Sequence, residues 1–208
     1  MKSKLLQRLR SRQISNFQKH RGFTLIELLV VITIIAILAG ASFPVINGVM
    51  ARARKVKVMS VAKDLQVAIK SYQTEYNRYP GPAGADLTLD TSSDLDLVSV
   101  LLGNAGTGAY MNPREIKFIE LPMAKNGVGG LVGTGGAGGF TLLDEWGLGF
   151  TVIMDNNYDN QILNPDAANS DPRVSTGASP QLPMSAIVYS NGPDKAPTTK
   201  DDIASWRN

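Results

Sequence analysis

One stretch constrains this chain more than any other: residues 23–49, FTLIELLVVITIIAILAGASFPVINGV, are almost free of charge. A helix needs about 20 apolar residues to cross a bilayer core, so this run is expected to form a single membrane span. Its one ionisable side chain is Glu27, and no Lys or Arg lies within the run. An unpaired acid in a span costs roughly 3 kcal/mol. Two readings of Glu27 follow from the physics. Either it sits at the interface, snorkelling or protonated, or it meets a cation on another chain. A cut between Gly22 and Phe23 makes such a cation, because the new α-amino group stands at the head of the same helix.

The segment before the run fixes its orientation. Lys2, Lys4, Arg8, Arg10, Arg12, Lys19 and Arg21 are basic, and Met1 to Gly22 holds no acid. By the positive-inside rule the leader stays in the cytoplasm and everything after Val49 lies outside. A signal peptide cut at Ala39-Gly40-Ala41-Ser42 is the alternative, but its apolar region is ordinarily shorter. Beyond Gly22, 14 Lys and Arg face 18 Asp and Glu, a formal charge of −4. The body of the chain therefore has no basic surface for nucleic acid. Cysteine is absent, which removes disulfides, thiolate metal sites and a cysteine nucleophile. The one histidine, His20, falls in the leader, so no catalytic triad forms after a cut and no enzyme is expected.

Past Pro44 the helix is expected to continue as an amphipathic segment. Val58, Ala62, Leu65, Ile69, Tyr72, Tyr76 and Tyr79 recur every three or four residues, one narrow stripe that should face a sheet. Arg52, Arg54, Lys55, Lys57 and Lys63 read as a solvated or headgroup-facing surface. Tyr79-Pro80-Gly81-Pro82 should end the helix, since proline disfavours helical geometry in the residue before it. Residues 80–97 read as a loop and 95–102 as a short helix. Strands are expected at 116–121, 150–154 and 186–190, with a fourth at 140–143. The glycine-rich segment 126–139 reads as a flexible insert. Its Gly133–Gly138 stretch satisfies GxGxxG only as low-complexity sequence does, with no strand before it and no helix after. The fold class is α+β, a long N-terminal helix packed on a small antiparallel sheet.

Arg21-Gly22-Phe23-Thr24-Leu25-Ile26-Glu27-Leu28-Leu29-Val30 resembles the cleavage and methylation motif of type IV pilins and type II secretion pseudopilins. The resemblance implies a pilin-like fold, cleavage after Gly22 by prepilin peptidase and methylation of the Phe23 amine. It also implies that Glu27 guides subunit docking. Pro44 falls where that family often has a helix-breaking proline, which removes one backbone hydrogen bond and lets the helix loosen as it packs. The organisation expected is a leader (1–22), a transmembrane and polymerisation helix (23–49), its amphipathic continuation (50–80) and a periplasmic globular domain (81–208).

Two acidic loops carry the remaining chemistry. Asp155, Asn157, Asp159 and Asp166 stand at the first, third, fifth and twelfth places of a calcium-loop spacing, with Asn160 in place of the usual glycine. An Asx-rich turn between strands explains the same residues. In the second loop Asp194, Asp201 and Asp202 bracket a Pro- and Thr-containing stretch, and a cation would relieve their repulsion. This stretch, Ser190-Asn191-Gly192-Pro193-Asp194 with Asp201-Asp202-Ile203 and Trp206, resembles the C-terminal calcium loop of major pseudopilins. Asp144-Glu145-Trp146-Gly147 resembles that family's Asp-Pro-Trp-Gly turn, with Glu145 departing from it. Calcium is the cofactor implied. The expected role is a structural subunit of a type II secretion pseudopilus, anchored in the bacterial inner membrane. Its expected partners are other copies of itself, prepilin peptidase, the inner-membrane platform and minor pseudopilins. The alternatives are a type IV pilin and a membrane-anchored, calcium-dependent binding domain.

Overall fold

The structure, a computed structural model, describes residues 22–134 and 139–207, with backbone alone for residues 42–46. The leader before Gly22 and residues 135–138 of the GxGxxG stretch lie outside the described residues. The chain divides into two units, residues 1–47 and 48–208.

Helix α1, Leu25–Tyr76, begins in the first unit. Val30, Val31, Ile32, Ile34 and Ile35 are weak helix formers, yet a helix satisfies every backbone group internally where no water can. Thr33 follows the same rule, its hydroxyl donating to Leu29 O at 2.8 Å. The apolar side chains from Phe23 to Leu38 are exposed, Leu25 at 87%. Pro44 lies within the bounds of α1. Among the described residues no helix is long and apolar enough to cross a membrane. That leaves the span expected over 23–49 without structural support, because the described apolar side chains of this unit stop at Ala41.

In the second unit, α1 buries the stripe that its spacing foretold. Val58, Ala62, Leu65, Ile69 and Tyr72 are each at most 1% exposed. The helix stops at Tyr76 rather than at Pro80, because Asn77 takes a left-handed conformation (φ 52°) that ends it. Tyr79 is buried from outside the helix.

The sheet against which this stripe packs has strand order β1-β6-β9-β10, all antiparallel, from β1 (Leu87–Asp90), β6 (Thr151–Met154), β9 (Ala186–Ser190) and β10 (Ile203–Ala204). Val152, Met154, Ala186 and Val188 join the core shared with α1, whereas Ile153 and Ile187 point into a second cluster with Ile162, Leu182, Met184, Tyr189 and Trp206. Because both faces are covered, β6 and β9 read as unbroken apolar runs. Gln66, the polar residue on the buried side of α1, donates from Nε2 to Ala186 O at 2.6 Å.

Shorter elements complete the unit. Helix α2 (Leu95–Leu101) forms as expected, capped by Asp94. The strands β2 (Gly106–Thr107) and β3 (Tyr110–Met111) form a hairpin, as do β7 (Ile162–Leu163) and β8 (Gln181–Leu182). A one-turn helix α3 (Pro172–Ser175) lies between β7 and β8. The expected loop over 80–97 in fact contains β1, whose alternating Leu87-Thr88-Leu89-Asp90 pattern pairs with β6. The expected strand over 116–121 makes no ladder. Phe118 N and Ile119 N both donate to Leu101 O, satisfying a carbonyl left open at the end of α2, and Phe118 packs edge-on to Tyr72 at 5.4 Å.

The glycine-rich segment is partly ordered. Its β4 (Gly130–Gly133) pairs with β5 (Phe140–Leu143), the expected fourth strand. A side chain at Gly130 would stand 2.4 Å from Pro122 O, so the close approach of these backbones requires glycine.

The stripe on α1 carries this unit. Leu65→Ala is expected to cost about 2–5 kcal/mol of unfolding free energy, measured by denaturant titration with circular dichroism. A loss below about 1 kcal/mol would contradict the packing.

Candidate functional site

At the start of α1, Thr24 and Glu27 bind each other reciprocally. Thr24 N and Thr24 Oγ1 each donate to Glu27 Oε2 at 2.8 Å, and Glu27 N donates to Thr24 Oγ1 at 3.2 Å. This is a capping box, which satisfies backbone donors that a helix start leaves open. Neither reading of Glu27 from its apolar surroundings foresaw it, though the spacing Thr-x-x-Glu is its sequence signature. Glu27 and Phe23, 75% exposed, therefore sit together at the exposed head of α1.

The C-terminal loop is held at its base by the β9–β10 pair, Ser190 opposite Ile203 and Tyr189 opposite Ala204. Gly192 (φ 71°) lies so close to Asp201 O that a side chain would stand 2.4 Å from it. Asp194 N donates to Asp201 Oδ2 at 3.2 Å, and Thr199 Oγ1 donates to Asp201 Oδ1 at 2.9 Å. The Ala196 backbone N–H, then the side chains of Asp201 and Thr199, hold the Asp194 carboxyl below its ordinary range. Asp194, Thr199 and Asp201 line an open depression with Ser170 and Asp171. Two carboxylates of this loop thus share the depression with Lys200, and their oxygens are of the kind a hard cation takes.

Asp202 does not join them. It is buried, Thr199 N donates to its Oδ2 at 3.1 Å, and Thr199 Oγ1 lies 3.2 Å from its Oδ1. Burial pushes its carboxyl up. Among the described residues no three His, Cys, Asp or Glu side chains converge as a metal site.

The Asp155 loop follows β6 and is closed by its own backbone. Asp159 N and Asn160 N donate to the two Asp155 oxygens, Asp159 N also to Asn157 Oδ1, and Gln161 N to Asp159 Oδ1. The twelfth-place acid is elsewhere. Asp166 receives Trp206 Nε1 at 2.9 Å and forms an ion pair with Arg207. That ligand is therefore lost to the expected calcium loop and instead fastens the end of the chain. Asp86, which the sequence reading missed, lies against the same loop with its Oδ1 buried and without a partner. Nothing in its surroundings in sequence, Gly84-Ala85-Asp86-Leu87, signals this.

The prokaryotic N-terminal methylation motif matches residues 17–43. A type II secretion system core protein G from Klebsiella pneumoniae is 40% identical over 190 residues, 91% of this chain and 96% of the relative. One from Pectobacterium carotovorum subsp. carotovorum is 27% identical over 189 residues, 90% and 85% of the two chains. A type IV wide pilus major component from Thermus thermophilus is 34% identical over 90 residues, 43% of this chain and 69% of the relative. No solved structure matches. The motif, the long helix and the small antiparallel sheet define a protein of the pilin and pseudopilin class. Within that class, the chain belongs to the family of type II secretion system core protein G.

Burial first, then Asp155 and Asp159, push the Asp86 carboxyl up. A raised folded-state pKa favours the protonated fold, so this contribution is full below the unfolded value and is lost as pH rises through the folded one. Asp86→Asn is therefore expected to raise the melting temperature at pH 7 in chelating buffer and to flatten its fall from about pH 4 to pH 7. A lower melting temperature at pH 7 would contradict this.

Proposed function

We propose that this protein is a structural subunit of a type II secretion pseudopilus. The head of α1 carries the reading: a Gly22–Phe23 junction, Glu27 within one turn of it, and a row of exposed apolar side chains behind. Prepilin peptidase cuts after Gly22, and the Phe23 amine is methylated. The 23–49 segment then holds the subunit in the inner membrane until the inner-membrane platform and minor pseudopilins bring it to the fibre. There the Phe23 amine of one copy meets Glu27 of another, replacing the bonds that Thr24 makes to that carboxylate in the single chain. Burial of both charges among apolar helices makes the pairing geometrically demanding and leaves either charge costly without its partner. Pro44 eases the helix into that packing. The globular unit stays on the periplasmic side, and its role is structural rather than catalytic.

We further propose that Asp194 and Asp201 hold a calcium ion that orders the C-terminal loop, supplying the fastening a disulfide supplies in chains with cysteine. The near end-to-end match to a core protein G favours secretion over a type IV pilus, whose relative here matches less than half of the chain.

Mass spectrometry of membrane-derived protein is expected to find methylated Phe23 as the first residue, and an intact Met1 would overturn the reading. Glu27→Leu is expected to abolish fibres, and normal fibres would overturn the docking role. Asp194→Ala with Asp201→Ala is expected to lower the melting temperature and remove its response to chelator. Equal melting of the unmodified protein with and without calcium would count against the ion.

A further inference from the structure

The 144–148 turn touches the C-terminal loop through buried bonds and helix α1 through an ion pair whose lysine is half exposed. Gly192 N donates to Ser190 Oγ at 3.1 Å, and Ser190 Oγ donates to Asp144 Oδ2 at 2.6 Å. Ser190 is fully buried and Asp144 is 1% exposed. The other oxygen of this carboxylate accepts from Trp146 N at 2.8 Å and Leu148 N at 2.9 Å. The Asp144 carbonyl accepts from Gly129 N at 2.7 Å. The next residue, Glu145, forms an ion pair with Lys57 of α1. Asp144 and Ser190 have no water to replace a lost partner, so a shift at either carries a penalty unless the next bond follows it.

The far end of this chain of bonds lies against the proposed ion loop. Gly192 lies close against the Asp201 backbone, where a Cβ would stand 2.4 Å from the carbonyl oxygen. Asp144 itself does not line the depression between Asp194 and Asp201. We infer that the 144–148 turn is a relay that couples cation binding in the 191–202 loop to the docking of α1 through Glu145 and Lys57. This rests on the calcium reading of the loop. Asp144 and Ser190 are positioning residues, since neither is proposed as a ligand. Coupling of this kind is reciprocal: an ion that tightens the loop tightens the hold on α1, and loosening α1 weakens the ion.

The test is a calcium titration by calorimetry on the full chain in detergent. The proteins are unmodified, Ser190→Ala, Glu145→Gln and, as control, Glu120→Gln, which removes a surface ion pair with Lys117 outside the relay. Ser190→Ala and Glu145→Gln are each expected to weaken calcium binding about threefold or more, with no change for the control. Glu145→Gln is decisive because it removes the charge that pairs with Lys57 and leaves the side-chain volume unchanged. Binding by the unmodified chain with an unchanged Glu145→Gln affinity overturns the relay and leaves the calcium reading standing. Absence of binding by the unmodified chain overturns both.

Discussion

The burial of one face of α1 against β6 and β9 is the contact on which the rest depends. Val58, Leu65, Ile69 and Tyr72 meet Val152, Met154, Ala186 and Val188 in one core. A helix alone in water gains little from its own hydrogen bonds, so this tertiary packing is what holds residues 58–72 helical. The apolar residues from Phe23 to Leu38 have no such sheet and are exposed in the single chain. Large exposed apolar surfaces mark association sites, and here the association proposed is with lipid first and with other copies afterwards. The division between the two units, at residues 47 and 48, falls within this one helix.

A chain without cysteine needs polar fasteners, and three buried or half-buried carboxylates act as such. Asp144 closes the 144–148 turn and receives Ser190. Asp166 collects Trp206 and Arg207, so the last residues lie against the unit. Asp202 binds Thr199 within its loop. A carboxylate accepts several donors at once, which lets each one gather segments distant in sequence. The loop between β9 and β10 is consequently closed on its inner side by Asp202, while Asp194 and Asp201 line the open depression beside it.

Much of this was legible in the sequence where a pattern had one physical cause. The three-and-four spacing from Val58 to Tyr72 could only be a buried helical stripe, and Ala186–Ser190 matches its expected strand residue for residue. The failures came where a local pattern competed with a tertiary partner. Residues 116–121 have strand composition, but their backbone donors go to Leu101 rather than to a neighbouring strand. Glycines in 126–139 suggested flexibility, yet Gly130 is needed where β4 passes residues 122–124. Asp166 has the right distance along the chain for a calcium loop, and only the fold reveals that Arg207 reaches it first. Asp86 had no signal at all, because its environment is assembled from a loop about seventy residues away in sequence.

In the proposed fibre the exposed apolar half of α1 is buried by other copies of the same chain. The natural absence of cysteine makes this directly measurable with Ile35→Cys as the single thiol in the protein. Maleimide labelling is compared between fibres sheared from cells and the same protein dissociated in detergent. The account requires rapid labelling of dissociated subunits and protection of Cys in the fibres. Equal labelling of the two would contradict it.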